Sequence, residues 1–105
     1  MKLHDIAHSR TGDKGDTSTI SVIVYDAADF PRLDAWLTAD RVAIRFAGII
    51  DGPVDRYRLP TLGALNFVLH RALGGGVTRS LRLDQHGKSL SSWLLDMDLP
   101  ESDDA

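Results

Sequence analysis

His8-Ser9-Arg10-Thr11-Gly12-Asp13-Lys14-Gly15-Asp16-Thr17-Ser18 lies between two short apolar segments. Read as the connection between two strands, it makes the chain open on an antiparallel hairpin. The Gly-Asp pairs supply the turn chemistry, since glycine adopts positive φ freely and aspartate bonds to its own backbone. The segment also carries Arg10, Lys14, Asp13, Asp16 and several hydroxyls, more polar chemistry than a turn requires. It is therefore the first candidate for a site.

Working outward, Lys2–His8 alternates as a strand, with His4, Ile6 and His8 on one face and Leu3, Asp5 and Ala7 on the other. On the far side, Ile20-Ser21-Val22-Ile23-Val24-Tyr25 is rich in β-branched residues and predicts a buried strand. Pro31 suits the first turn of a helix through Leu33, Trp36 and Leu37. Thr38 is placed to cap a second helix in which Val42 and Phe46 fall one turn apart, ending at Gly48. Gly52-Pro53 marks a turn, and Val54–Leu59 alternates as a strand ending at Pro60.

From Leu62 to Leu73 the spacing predicts a third helix, with Leu62, Leu65, Leu69, Ala72 and Leu73 in one stripe and Asn66 and His70 beside it. Phe67 and Arg71 then point away from the core, and Phe67 becomes a candidate subunit contact. Gly74-Gly75-Gly76 ends that helix, and Thr78–Asp84 reads as a strand. Leu90, Trp93, Leu94 and Met97 have helical spacing, while Leu95, Met97 and Leu99 alternate, which predicts a short helix giving way to an edge strand. Glu101–Ala105 is acidic and poor in apolar residues, the composition of a disordered tail. There is no internal repeat and no linker, so residues 1–100 form a single domain followed by the tail at 101–105. The element order predicts an α+β fold, a two-layer sandwich of a mostly antiparallel sheet with helices on one face, of which the ferredoxin-like arrangement is one solution.

Composition narrows the function. The chain has 105 residues, 43% hydrophobic, enough for one real core. A net charge of -3 argues against nucleic-acid binding, which needs a basic face. With no cysteine, thiolate nucleophiles, disulfides and zinc ribbons are excluded. No segment has the length and apolarity of a signal peptide core or a membrane span, so a cytoplasmic protein without a membrane partner is expected.

Several separate blocks resemble a known family: Arg10–Asp16, Leu37–Val42, Arg56–Pro60, Leu62–Leu69, Ala72–Asp84 and Gly87-Lys88. They are similar to the C-terminal, ferredoxin-fold-like domain of the acyclic terpene utilisation protein AtuA family, over about residues 3–99. Thr19 departs from the asparagine of the family pattern. In longer members the domain follows a large N-terminal domain, so the resemblance implies a stand-alone small subunit beside a separately encoded large AtuA-like subunit. It further implies a link to catabolism of acyclic terpenoids or branched acyl-CoA compounds, and an acyl-CoA as possible ligand.

Two classes of function follow. In the first, the chain is an accessory or assembly subunit that binds a larger partner, or a second copy of itself, through a sheet edge or helix face. In the second, it is a small enzyme or half of a shared active site acting on an anionic substrate. There His8 is a general base oriented by Asp13 or Asp16, because such a pair needs only hydrogen-bond proximity. Arg10, Gly12, Lys14 and Gly15 form an anion cradle. Asn66, Gly74, Gly75, Gly76 and Arg79, with Arg82 nearby, make a second anion-binding group suited to an acyl-CoA phosphate or carboxylate. The glycine spacing is not that of a phosphate-binding nucleotidase loop. Asp13 with Asp16 suits magnesium, and His4 with His8 suits zinc or iron, but no tight ligand motif is present and no metal or cofactor is expected.

Overall fold

The structure, a computed structural model, describes residues 1–14, 17–48, 50, 52–71 and 90–100, with the side chains of 13 and 14 outside the description. Within these, β1 (Ala7–Lys14) and β2 (Thr17–Val24) form the opening hairpin, running from Ala7 opposite Val24 to Lys14 opposite Thr17. A second antiparallel pair, β3 (Val54–Leu59) and β4 (Ala64–Leu69), joins it through β4, giving the sheet order β1-β2-β4-β3. The hairpins form because strands this rich in alternating apolar residues bury one side: Ser18, Ile20, Val22 and Val24 of β2 are buried while the residues between them are half-exposed.

Three helices cover that buried side. The first, α1 (Phe30–Trp36), follows a short turn in which Asp26 Oδ1 accepts from the Ala28 N–H at 3.0 Å, and it has Pro31 in its first turn. Helix α2 (Ala39–Arg45) begins at Thr38, whose Oγ1 accepts from the Arg41 N–H at 3.1 Å. Gly48, at φ +83°, follows it. The last, α3 (Leu90–Leu95), buries Leu90 and Leu94. Leu33, Val42, Phe46 and Leu94 meet Ile20, Val22, Leu65 and Phe67 in one core, all fully shielded from solvent. Burying each such side chain contributes about 1.5–3 kcal/mol, which is what holds the layers together.

Polar contacts fix the helices on that face. Asp34 of α1 receives Arg56 and Arg58 of β3, and Ser91 of α3 bonds to Ser9 and Thr11 of β1. The result is the expected α+β two-layer sandwich with an antiparallel sheet and helices on one side.

Four elements differ from the sequence-based expectation. The helix expected over Leu62–Leu73 is not formed in its described part: Pro60–Leu62 is a 3-10 turn, Gly63 turns the chain at φ +62°, and Ala64–Leu69 is the central strand β4. Pairing on both edges, to β2 and β3, outweighs the helix propensity of leucine and alanine. Phe67 is consequently fully buried opposite Ile20 and Arg56, and does not form an outward contact surface. At the N-terminus, Leu3–Asp5 is a 3-10 turn in which Asp5 Oδ2 accepts from the Lys2 N–H at 2.9 Å, so His4 and His8 do not share a strand face. The polar segment Arg10–Lys14, expected as loop, is the outer half of β1, because its backbone pairs in register with Thr17–Ser21. Finally, the edge strand expected after α3 is reduced to one antiparallel bridge, Lys2 to Asp98, flanked by Leu3 N–H to Met97 O and Leu99 N–H to Met1 O. The strand expected at Thr78–Asp84, the Gly74–Gly76 turn and the acidic tail lie outside the described residues.

Candidate functional site

Residues directly opposite one another in an antiparallel sheet share a face, so the register assigns the uncovered side of the sheet row by row. One row is His8, Ile23, Ala64 and Leu59, the next Arg10, Ser21, Asn66 and Tyr57, and a third Gly12, Thr19, Val68 and Asp55. Among the described residues the helices all lie on the other side. The central row is knit together: the Ser21 hydroxyl donates to Asn66 Oδ1 at 2.9 Å. His8 stacks on Tyr25, ring centroids 5.2 Å apart at 20°. Tyr57 is 54% exposed and Leu59 40%, unusual for large side chains on a sheet with one buried face. On the β3 side, Asp55 Oδ2 pairs with His70 Nε2 at 2.8 Å.

The structure thus brings together His8, Arg10, Gly12 and Asn66 from the sequence-predicted set, on one sheet face and from two strands. Asn66 belongs there through strand register, not through a helix facing the Gly74–Gly76 turn. Gly12 sits inside the β1–β2 ladder, where its carbonyl accepts from Thr19 Oγ1 at 3.3 Å and Ser18 Oγ at 3.4 Å. A Cβ at Gly12 would stand 3.1 Å from the same Thr19 oxygen, so the hydroxyl occupies the side-chain space. Asp13 and Lys14 end β1, in register with Ser18 and Thr17. Gly15, Asp16, Gly74, Gly75, Gly76 and Arg79 lie outside the described residues, as does Arg82. Within the described set no three His, Asp or Glu side chains cluster as a metal site. His4 lies apart from the face, its Nδ1 3.4 Å from Asp5 Oδ1.

Two members of the face escaped the sequence, Ser21 and Tyr57. Both became legible only through pairing with Asn66, since their own strands show nothing beyond alternation. Among the described residues the resolved electrostatic shifts belong to one ion pair, Asp34 with Arg58, on the opposite, helical side. Hydrogen bonds from Arg58 to Asp34, at 2.9 and 2.8 Å, together with the charges of Arg58 and Arg56, hold the Asp34 carboxyl below its ordinary range against the opposing effect of burial. That cluster ties α1 to the edge strand β3 and leaves the open face free of it.

No described helix is long and apolar enough to cross a membrane. No curated protein and no solved structure matches the chain. A family model described as the AtuA ferredoxin-like domain matches residues 1–100, nearly the whole length, and agrees with the antiparallel α+β architecture. The chain therefore belongs to the AtuA ferredoxin-like domain family.

Proposed function

We propose that this domain is an accessory or assembly subunit that docks on a separately encoded large AtuA-like subunit, and that the open face of its sheet is the docking surface. The observation that carries this is the row Arg10, Ser21, Asn66 and Tyr57: a cation, an oriented amide and an exposed tyrosine side by side on a broad face, flanked in the neighbouring rows by the half-buried Ile23 and Val68. Tyrosine and arginine beside apolar neighbours are the residue types that dominate binding energy at protein interfaces. A single thin sandwich of this kind offers little depth for a closed pocket, and pockets form readily where two chains meet. Family membership supports placing the assembly in the breakdown of acyclic terpenoids or related branched acyl-CoA compounds.

Purification of the tagged chain from its native cell tests this. A large AtuA-like chain should accompany it in fixed ratio through size exclusion. Elution alone, with turnover of an acyl-CoA that is lost in Asp13→Ala, would instead make the chain a small enzyme built on His8, Asp13 and Asp16.

A further inference from the structure

On the helical side, remote from the open sheet face, Trp36, Arg41, Ile44, Arg45, Met97 and Asp98 line an open groove of about 340 Å³. That volume falls in the range of small-molecule sites, about 300–1,000 Å³. Its cations are held unusually. The Arg41 guanidinium lies over the Trp36 ring, 4.9 Å from its centroid, and the Arg45 guanidinium over Trp93 at 3.9 Å. A further clasp fixes Arg45: its Nε donates to the Trp93 carbonyl at 2.9 Å, and Trp93 Nε1 donates back to the Arg45 carbonyl at 2.9 Å.

Stacking on an indole orients a guanidinium without neutralising it. Among the described residues neither arginine meets a carboxylate, and the one guanidinium donor committed to a hydrogen bond there is Arg45 Nε, so toward these residues the terminal nitrogens of both remain available. The two are one helical turn apart on α2 and therefore project from the same side. Between them stands Ile44, 75% exposed, with half-buried Met97 beside it. Asp98, the carboxylate at the lip, is already engaged by Lys2 Nζ at 3.0 Å.

We propose that this groove binds an amphipathic anion: a carboxylate or phosphate monoester joined to a short hydrocarbon chain. The headgroup takes charge-assisted hydrogen bonds from Arg41 and Arg45, and the chain lies on Ile44 and Met97. Because the guanidinium groups are already held in place, little side-chain entropy is lost on binding. Two adjacent cations repel an amine of the same chain length, which gives the site its selectivity. This assignment does not depend on the docking role of the sheet.

The two tryptophans of the chain are the ones under these guanidinium groups, so intrinsic fluorescence reports the site directly. Octanoate, octyl phosphate, octylamine, octanol and inorganic phosphate are titrated into the full chain below micelle-forming concentrations. A saturable change is expected with octanoate, octyl phosphate or both, the stronger of the two naming the natural headgroup. Inorganic phosphate, octanol and octylamine should bind at least about tenfold more weakly, and Arg41→Gln and Ile44→Asp should each weaken the anion by about tenfold while circular dichroism is unchanged. Equal response to octylamine or octanol, equal affinity for inorganic phosphate, an unaltered Arg41→Gln titration, or no saturable change with either alkyl anion would overturn the proposal.

Discussion

Ser21 and Asn66, 45 residues apart in the chain, meet across β2 and β4 through a 2.9 Å hydrogen bond from hydroxyl to amide oxygen. The bond sits in the middle row of the open face and orients the half-buried Asn66 amide. Either partner replaced by alanine should cost about 1 kcal/mol, because the other half-buried group loses its bond. In a urea-unfolding double-mutant cycle, the Ser21→Ala/Asn66→Ala protein should lose no more than one single variant does. Additive losses would mean the two side chains act separately.

Phe67 has no exposed surface, whereas Tyr57, one strand over and one residue out of its row, is 54% exposed. Phe67→Ala removes a ring from the middle of the core and should cost about 3–5 kcal/mol, a large share of the stability of a domain this size. Tyr57→Ala should shift the thermal midpoint little. Were Phe67 on an outward helix face, Phe67→Ala would instead cost little.

Asp34 links α1 to β3, and its carboxyl titrates below its ordinary value of 3.8 in the folded state because of the Arg58 hydrogen bonds and the Arg58 and Arg56 charges. The stability it lends is complete above that ordinary value and is lost as pH falls through the lower folded value. Asp34→Asn should therefore be less stable than the parent at neutral pH, and the two should converge in strong acid. Thermal melts at a series of pH values read this directly, and a gap that persists undiminished into strong acid would assign the loss to packing.

Thr38 caps α2 with its hydroxyl. Thr38→Ala should lower stability by about 1 kcal/mol, and Thr38→Ser should restore most of it. The same helix carries Arg41 and Arg45, so fraying in Thr38→Ala should also weaken the anion binding proposed for the groove.

The elements that local chemistry decides were legible. The alternation of Ile20, Val22 and Val24 gave β2, Pro31 marked the start of α1, and Thr38 and Gly48 bracketed α2. The stretch from Leu62 was not, for a geometric reason. Leu65 and Leu69 fall on one side both in a helix and in a strand, so they fit either period, and only Phe67 between them distinguishes the two. Whether Phe67 faces in or out depends on β2 and β3 arriving on either edge, which no local pattern encodes. The same holds for the face. Once β1 is a strand, its alternation alone puts His8, Arg10 and Gly12 together, but Asn66, Ser21 and Tyr57 join them only through register between strands far apart in sequence. Trp93 reaches Arg45 over a comparable separation, so the groove left no trace in the spacing either.

Native mass spectrometry of this chain mixed with the large AtuA-like subunit proposed as its partner tests the docking surface most directly. Three proteins are compared: the parent, Tyr57→Asp on the open sheet face, and Ile44→Asp on the helical side, each shown folded by circular dichroism. With docking through the open sheet face, Tyr57→Asp should release the large subunit while Ile44→Asp retains it at the parent ratio. Retention by Tyr57→Asp together with release by Ile44→Asp would place the contact on the helices and rule out docking through the sheet.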